Sequence, residues 1–111
     1  TPLKLDVIRD RGTLAREVED GLIENVYRLQ LTNRSESVHT LRIGVDGLDS
    51  AFVASDAMVE LGPDTERQVP VRVRVRPGNG APGSNAIGFT VQALDDPALS
   101  VRERSTFFVP R

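Results

Sequence analysis

Val69-Pro70-Val71-Arg72-Val73-Arg74-Val75-Arg76 decides how this chain folds. Valine recurs at every second position, with proline or arginine between. Successive side chains of a strand point to opposite faces, so this spacing sends the valines to a core and the arginines to water. A helix would scatter the same valines around its circumference. Pro70 has no N–H for a ladder, which marks its end of the strand as a sheet edge or a bulge.

The same period runs outward through the chain. Leu3, Leu5 and Val7 alternate with Lys4 and Asp6; Tyr27, Leu29 and Leu31 with Arg28, Gln30 and Thr32. Leu41, Ile43 and Val45 alternate with Arg42 and Gly44, and Ile87, Phe89, Val91 and Ala93 with Gly88, Thr90 and Gln92. Val101 to Val109 reads as a last strand, less regular at Phe107-Phe108. Residues 51–61 read as one or two short strands, Phe52-Val53 and Met58 to Leu61. The expected interior is Leu5, Val7, Tyr27, Leu29, Leu31, Leu41, Ile43, Val71, Val73, Phe89 and Val91.

Turn chemistry separates the runs. Asn33 to Ser37 is a polar connection of hairpin length, Asp46-Gly47, Leu61 to Asp64 and Asp95 to Pro97 are turns, and Pro77 to Ser84 is a glycine-rich loop. Thr13 to Asp20 contains helix formers but is too short to hold a helix alone. Roughly seven or eight short antiparallel strands with such spacing predict an all-β fold, a two-sheet antiparallel β-sandwich of immunoglobulin-like type. Residues 1–111 read as one domain.

Composition narrows the chemistry. The chain has 111 residues, 39% hydrophobic and 27% charged, with a net charge of -2. That balance provides no field to hold a nucleic-acid backbone or an anionic membrane. With zero cysteines, disulfides, thiolate catalysis and cysteine-ligated metals are excluded. No apolar run approaches the ~20 residues of a membrane helix. The chain opens at Thr1-Pro2 without a methionine or a signal peptide, and so reads as a fragment of a longer protein.

No constellation points to a reaction. His39 is the only histidine, without the further ligands of a metal site or the nucleophile of a triad, and reads as a surface or hairpin residue beside a functional alternative. Met58 is also alone, too little with His39 for a soft copper site. Glu17, Glu19, Asp20 and Glu24 surround Gly21. Their spacing matches no calcium loop, leaving a solvated charged loop paired with Arg9, Arg11 and Arg16 as the other reading. Arg72, Arg74 and Arg76 form either an anion-binding face or a solvated sheet surface that discourages edge pairing. Glycines 78, 80 and 83 open no helix and make no phosphate cradle.

The stretch from Asp6 to Asn33 resembles a known pattern. Asp6, Val7, Arg9, Asp10, Arg11, Arg16, Glu17, Gly21, Ile23, Glu24, Asn25, Tyr27, Leu29 and Asn33 follow the C-terminal domain of the FixG/CcoG family, the cytochrome c oxidase accessory proteins. The match is looser at Gly47-Leu48, Val69-Pro70-Val71 and Phe107 to Pro110. The chain departs from the pattern at Ala15, where the family carries an aromatic residue.

The resemblance implies an immunoglobulin-like domain without cofactor or catalytic residues of its own. Its parent would be a multi-pass protein of the bacterial inner membrane with two [4Fe-4S] clusters elsewhere. That parent would act in assembly or copper delivery for cbb3-type oxidase, as a copper reductase, with this domain on the periplasmic side. The expected partners are proteins: oxidase-assembly or copper-handling components, or the rest of the same chain. The candidate interaction loop is Asp10, Arg11, Arg16, Glu17, Glu24 and Asn25. The alternative is a generic module of a secreted or cell-surface protein, binding by adhesion or to carbohydrate. Against the carbohydrate form, the chain has no tryptophan and one tyrosine.

Overall fold

The computed structural model describes residues 2–9 and 15–110, and these form a sandwich of two antiparallel sheets. Nine strands follow in chain order: β1 (Leu3–Arg9), β2 (Arg16–Glu17), β3 (Ile23–Asn33), β4 (His39–Asp46), β5 (Phe52–Val53), β6 (Met58–Leu61), β7 (Thr65–Val75), β8 (Gly83–Ala93) and β9 (Ser100–Val109). The first sheet runs β1-β3-β7-β5, with β2 beside β1 on the same edge of β3; the second runs β6-β4-β8-β9. The all-β, immunoglobulin-like expectation holds. Both short strands stand where the apolar runs placed them. The strand beyond the expected seven or eight is the two-residue β2, too short for any period to show.

The alternation becomes the core. Inward positions of β3 and β7 pair as Tyr27↔Val71 and Asn25↔Val73, and β4 and β8 pair as Ile43↔Val91 and Val45↔Phe89. Tyr27, Leu29, Val71, Val73, Phe89 and Phe107 are all buried, and the Tyr27 and Phe89 rings meet edge to face with centroids 4.9 Å apart. Edge-to-face packing sets the positive rim of one ring against the negative face of the other. Of the expected core set, Val7 alone is only half-buried.

Pro70 sits where its missing donor costs nothing. The Arg72 N–H donates to Ser55 Oγ at 3.0 Å and its carbonyl accepts from the Ala54 N–H at 2.8 Å, so Arg72 points away from β3. Hydrogen-bonding directions alternate along a strand. Pro70, two residues away, therefore also faces the free edge below β5. The register Arg28↔Pro70 is intact, and the edge loses one donor that another chain could have used.

Three expectations need correction. The connection after Asn33 is no hairpin: β3 and β4 lie in different sheets, so it is an arch across the sandwich. Asn33 fastens it. Its Nδ2 lies 2.9 to 3.0 Å from the carbonyls of Ser37, Leu61 and Gly62, and its Oδ1 accepts from the N–H and hydroxyl of Ser35. His39 is no surface residue. It begins β4 on an inward position, is buried, and donates from Nδ1 to Asp95 at 2.9 Å, tying β4 to the β8–β9 turn. That bond holds the Asp95 carboxyl below its usual range, outweighing the opposing effect of partial desolvation. Arg74, finally, is not part of a solvated arginine stripe, for reasons that lie in the β2–β3 hairpin.

Candidate interaction site at the β2–β3 hairpin

The hairpin is built around Asp20-Gly21. Both residues have positive φ, 60° and 73°, and the turn closes with Val18 N–H donating to the Leu22 carbonyl at 2.7 Å. Asp-Gly is suited to this geometry because glycine has no Cβ to clash and aspartate tolerates the left-handed region. The helix formers preceding the turn thus serve a strand: of Thr13 to Asp20, the described residues 15–20 contain β2 and the start of the turn. The local signal that identifies this hairpin is the Asp-Gly pair between the apolar residues Val18 and Leu22.

Register then assembles a charged row on the outer face of the first sheet. Glu24 on β3 lies opposite Arg16 on β2 and opposite Arg74 on β7. Arg16 donates to Glu24 Oε1 from Nε at 3.2 Å and Nη2 at 3.1 Å, and Arg74 Nε donates to Oε2 at 2.8 Å. Arg74 also reaches Glu19 with Nη1 at 3.1 Å. Glu24 is fully buried beneath these guanidinium groups, whereas 67% of the Arg16 side chain and 17% of the Arg74 side chain stay exposed. Burial pushes the Glu24 carboxyl up; the hydrogen bonds from Arg74 and then Arg16 push it further down, and it ends below its usual range. The Arg74 guanidinium is correspondingly held more firmly in its charged form, chiefly by Glu24.

The next residues of β3 reach across the sandwich. Asn25 Nδ2 donates to the Phe108 carbonyl at 3.0 Å and Oδ1 accepts the Phe108 N–H at 2.8 Å. A side-chain amide here takes the place of a neighbouring strand along the outer edge of β9. Two residues on, the Tyr27 hydroxyl donates to the Thr106 carbonyl at 2.7 Å. Glu24, Asn25, Tyr27 and Asn33 are thus four buried polar residues of one strand, each satisfied by hydrogen bonds, as burial of polar groups demands.

The candidate loop residues therefore divide. Arg16 and Glu24 meet in one ion pair; Glu17 is exposed on β2 beside them; Asn25 faces inward. Asp10 and Arg11 lie outside the described residues. Among the described residues no group of three or more His, Asp or Glu side chains converges as a metal site, and no helix is long and apolar enough to cross a membrane. A [4Fe-4S] cluster requires cysteine thiolates, of which this chain has none, so its residues do not fit one.

A family model described as "IG-like fold at C-terminal of FixG, putative oxidoreductase" matches residues 1–110. The chain belongs to this FixG C-terminal family. Among solved structures, the FixG C-terminal fold seen here is similar to the crystal structure of a FixG-related protein from Vibrio parahaemolyticus. The TM-score is 0.84 at 22% identity, over 100% of this chain and 98% of that one. No curated protein matches the chain. The hydrogen bonds above say what the residues that carry the resemblance do in this chain. Glu24, Asn25, Tyr27 and Asn33 of this FixG C-terminal domain fix the hairpin, β9 and the arch to a single central strand.

Proposed function

We propose that this domain is a noncatalytic binding or positioning module of a membrane-bound iron–sulfur accessory protein, acting in assembly of, or copper delivery to, cbb3-type cytochrome c oxidase. The observation that carries the reading is the family match over residues 1–110, which attaches an immunoglobulin-like domain to an oxidoreductase. The parent's two [4Fe-4S] clusters and its copper-reducing chemistry belong to segments other than this one, and the domain stands on the periplasmic side of the inner membrane. Its partners are proteins of oxidase assembly or copper handling, or the remainder of its own chain. Binding engages the hairpin loop, where Arg16 and Glu17 present charge to solvent over the buried Glu24. Loops on a rigid scaffold are where binding residues concentrate.

The test uses the full-length protein. Arg11→Ala and Arg16→Ala are introduced separately, and assembled oxidase in cells is compared with the melting temperature of the domain. Lost assembly at unchanged melting temperature supports a binding role for the loop. A parallel loss of both assigns the loop to stability alone.

A further inference from the structure

We propose that the cleft at the hairpin end of the sandwich binds a basic, partly apolar polypeptide segment of a partner protein. This inference rests on the binding role proposed above and names the surface and the chemistry of its ligand. The cleft, of about 650 Å³, lies between the β2–β3 turn, the β4–β5 loop and the β7–β8 loop. It stands at the opposite end of β3 from Pro2, whose carbonyl accepts from the Arg34 N–H.

Two kinds of residue line it. Leu22, Phe52 and Pro77 supply an apolar floor, and Phe52 keeps 43% of its surface exposed although it belongs to a strand. Asp20, Asp49 and Arg76 supply the charge. Aromatic residues are enriched at protein interfaces, whose apolar core is ringed by polar groups. No ion pair joins Asp20, Asp49 or Arg76 to any described residue, in contrast to the Glu24, Glu19 and Asp46 carboxylates nearby.

Charge complementarity selects the ligand. Among the described lining residues two carboxylates outnumber one guanidinium, a net negative charge that attracts a cation. The apolar floor accepts an aliphatic or aromatic side chain beside that cation. Arg76 remains as a donor for a backbone carbonyl of the same segment. A lone metal ion or small cation would leave Phe52 and Leu22 uncovered, which favours a polypeptide.

The walls are preformed. Asp20 and Ser50 both have positive φ, 60° and 64°. Ser50 Oγ accepts from the Arg76 N–H at 2.9 Å and from Asn79 Nδ2 at 2.8 Å, which ties the β4–β5 loop to the β7–β8 loop. Loops tied together in this way need little ordering when a ligand enters, so the protein's share of the entropic cost of binding is small.

The experiment titrates the isotope-labelled domain with an acetylated, amidated pentapeptide, Lys-Phe-Arg-Leu-Lys, and reads amide NMR shifts. The control is Glu-Phe-Asp-Leu-Glu. The cationic peptide is expected to shift amides of Asp20 to Leu22, Asp49 to Phe52, Arg76, Gly78 and Asn79, with affinity at least about tenfold above the control and falling as salt is raised. Asp20→Asn with Asp49→Asn should weaken it about tenfold, because each removes a charge at exposed sites where asparagine tolerates the same backbone. Phe52→Ala should weaken it independently of salt. The proposal is overturned if the shifts map elsewhere, if none occur, or if the anionic peptide binds as well. Should the cleft fail while oxidase assembly still depends on the domain, the proposed function stands and only this site is removed.

Discussion

Glu24→Gln removes one negative charge and keeps the shape of the side chain. In the wild type, Glu24 is fully buried and takes three guanidinium hydrogen bonds, two from Arg16 and one from Arg74. Glutamine can accept on its oxygen but turns an NH2 group toward the other guanidinium. A hydrogen bond to a charged partner contributes about 1.5–3 kcal/mol, and the largely buried Arg74 side chain makes its bond the dominant loss. Arg16 is two-thirds exposed and can swing into water, so its share is about 0–1 kcal/mol. The expected loss is about 1.5–4 kcal/mol at neutral pH, read by urea unfolding of the two proteins. The pH dependence has a definite sign. A carboxyl whose folded pKa lies below its ordinary 4.5 stabilises the protein fully above that pH and loses the contribution as pH falls through the lower folded value. The gap between wild type and variant must therefore narrow in the acid range below 4.5. A loss under about 0.5 kcal/mol at neutral pH, or a gap that widens on acidification, would refute the role given to this ion pair.

Other positions give contrasting magnitudes. Asn33→Ala strips the bolt of the β3–β4 arch and should cost about 2–4 kcal/mol in the same unfolding assay, because carbonyls of Leu61 and Gly62 lose a buried donor. Val73→Ala, in the centre of the core, should cost about 1–3 kcal/mol with no change in the unfolding slope. Gly88→Ala should leave the unfolding midpoint nearly unchanged, because exposed ion pairs contribute little. A Cβ there falls on the Arg102 guanidinium, whose half-exposed side chain can move off and give up its bond to Asp46, visible as a changed Asp46 carboxyl titration.

The fold was legible because its signal is local. Val69 to Val75 and Ile87 to Ala93 announce their strands within a few residues, and burial follows the alternation almost position by position. What stayed hidden depends on distant chain. Nothing near Asn25 shows that its amide bonds Phe108, 83 residues away, and nothing near Asn33 reveals the carbonyls of Leu61 and Gly62. An inward polar residue reads in sequence as the end of an apolar stripe, which is why Asn33 reads as the start of a connection of hairpin length and His39 as a surface or hairpin residue. Arg74 shares its outward parity with Arg72, and only the β2–β3 hairpin on the far side of Glu24 distinguishes them. That hairpin has a local signature, Asp20-Gly21 between the apolar residues Val18 and Leu22. The residues that carry the family resemblance concentrate on β3, and the physical account of them comes from the register.

The central claim is that this domain serves oxidase assembly by binding and supplies no redox chemistry. The most direct measurement deletes it from the full-length parent and quantifies assembled cbb3 oxidase in the membrane, with the amount of truncated parent and its iron–sulfur content measured alongside. The account predicts less assembled oxidase while the truncated protein persists and retains its clusters. Normal oxidase levels without the domain would contradict it, as would loss of the clusters themselves.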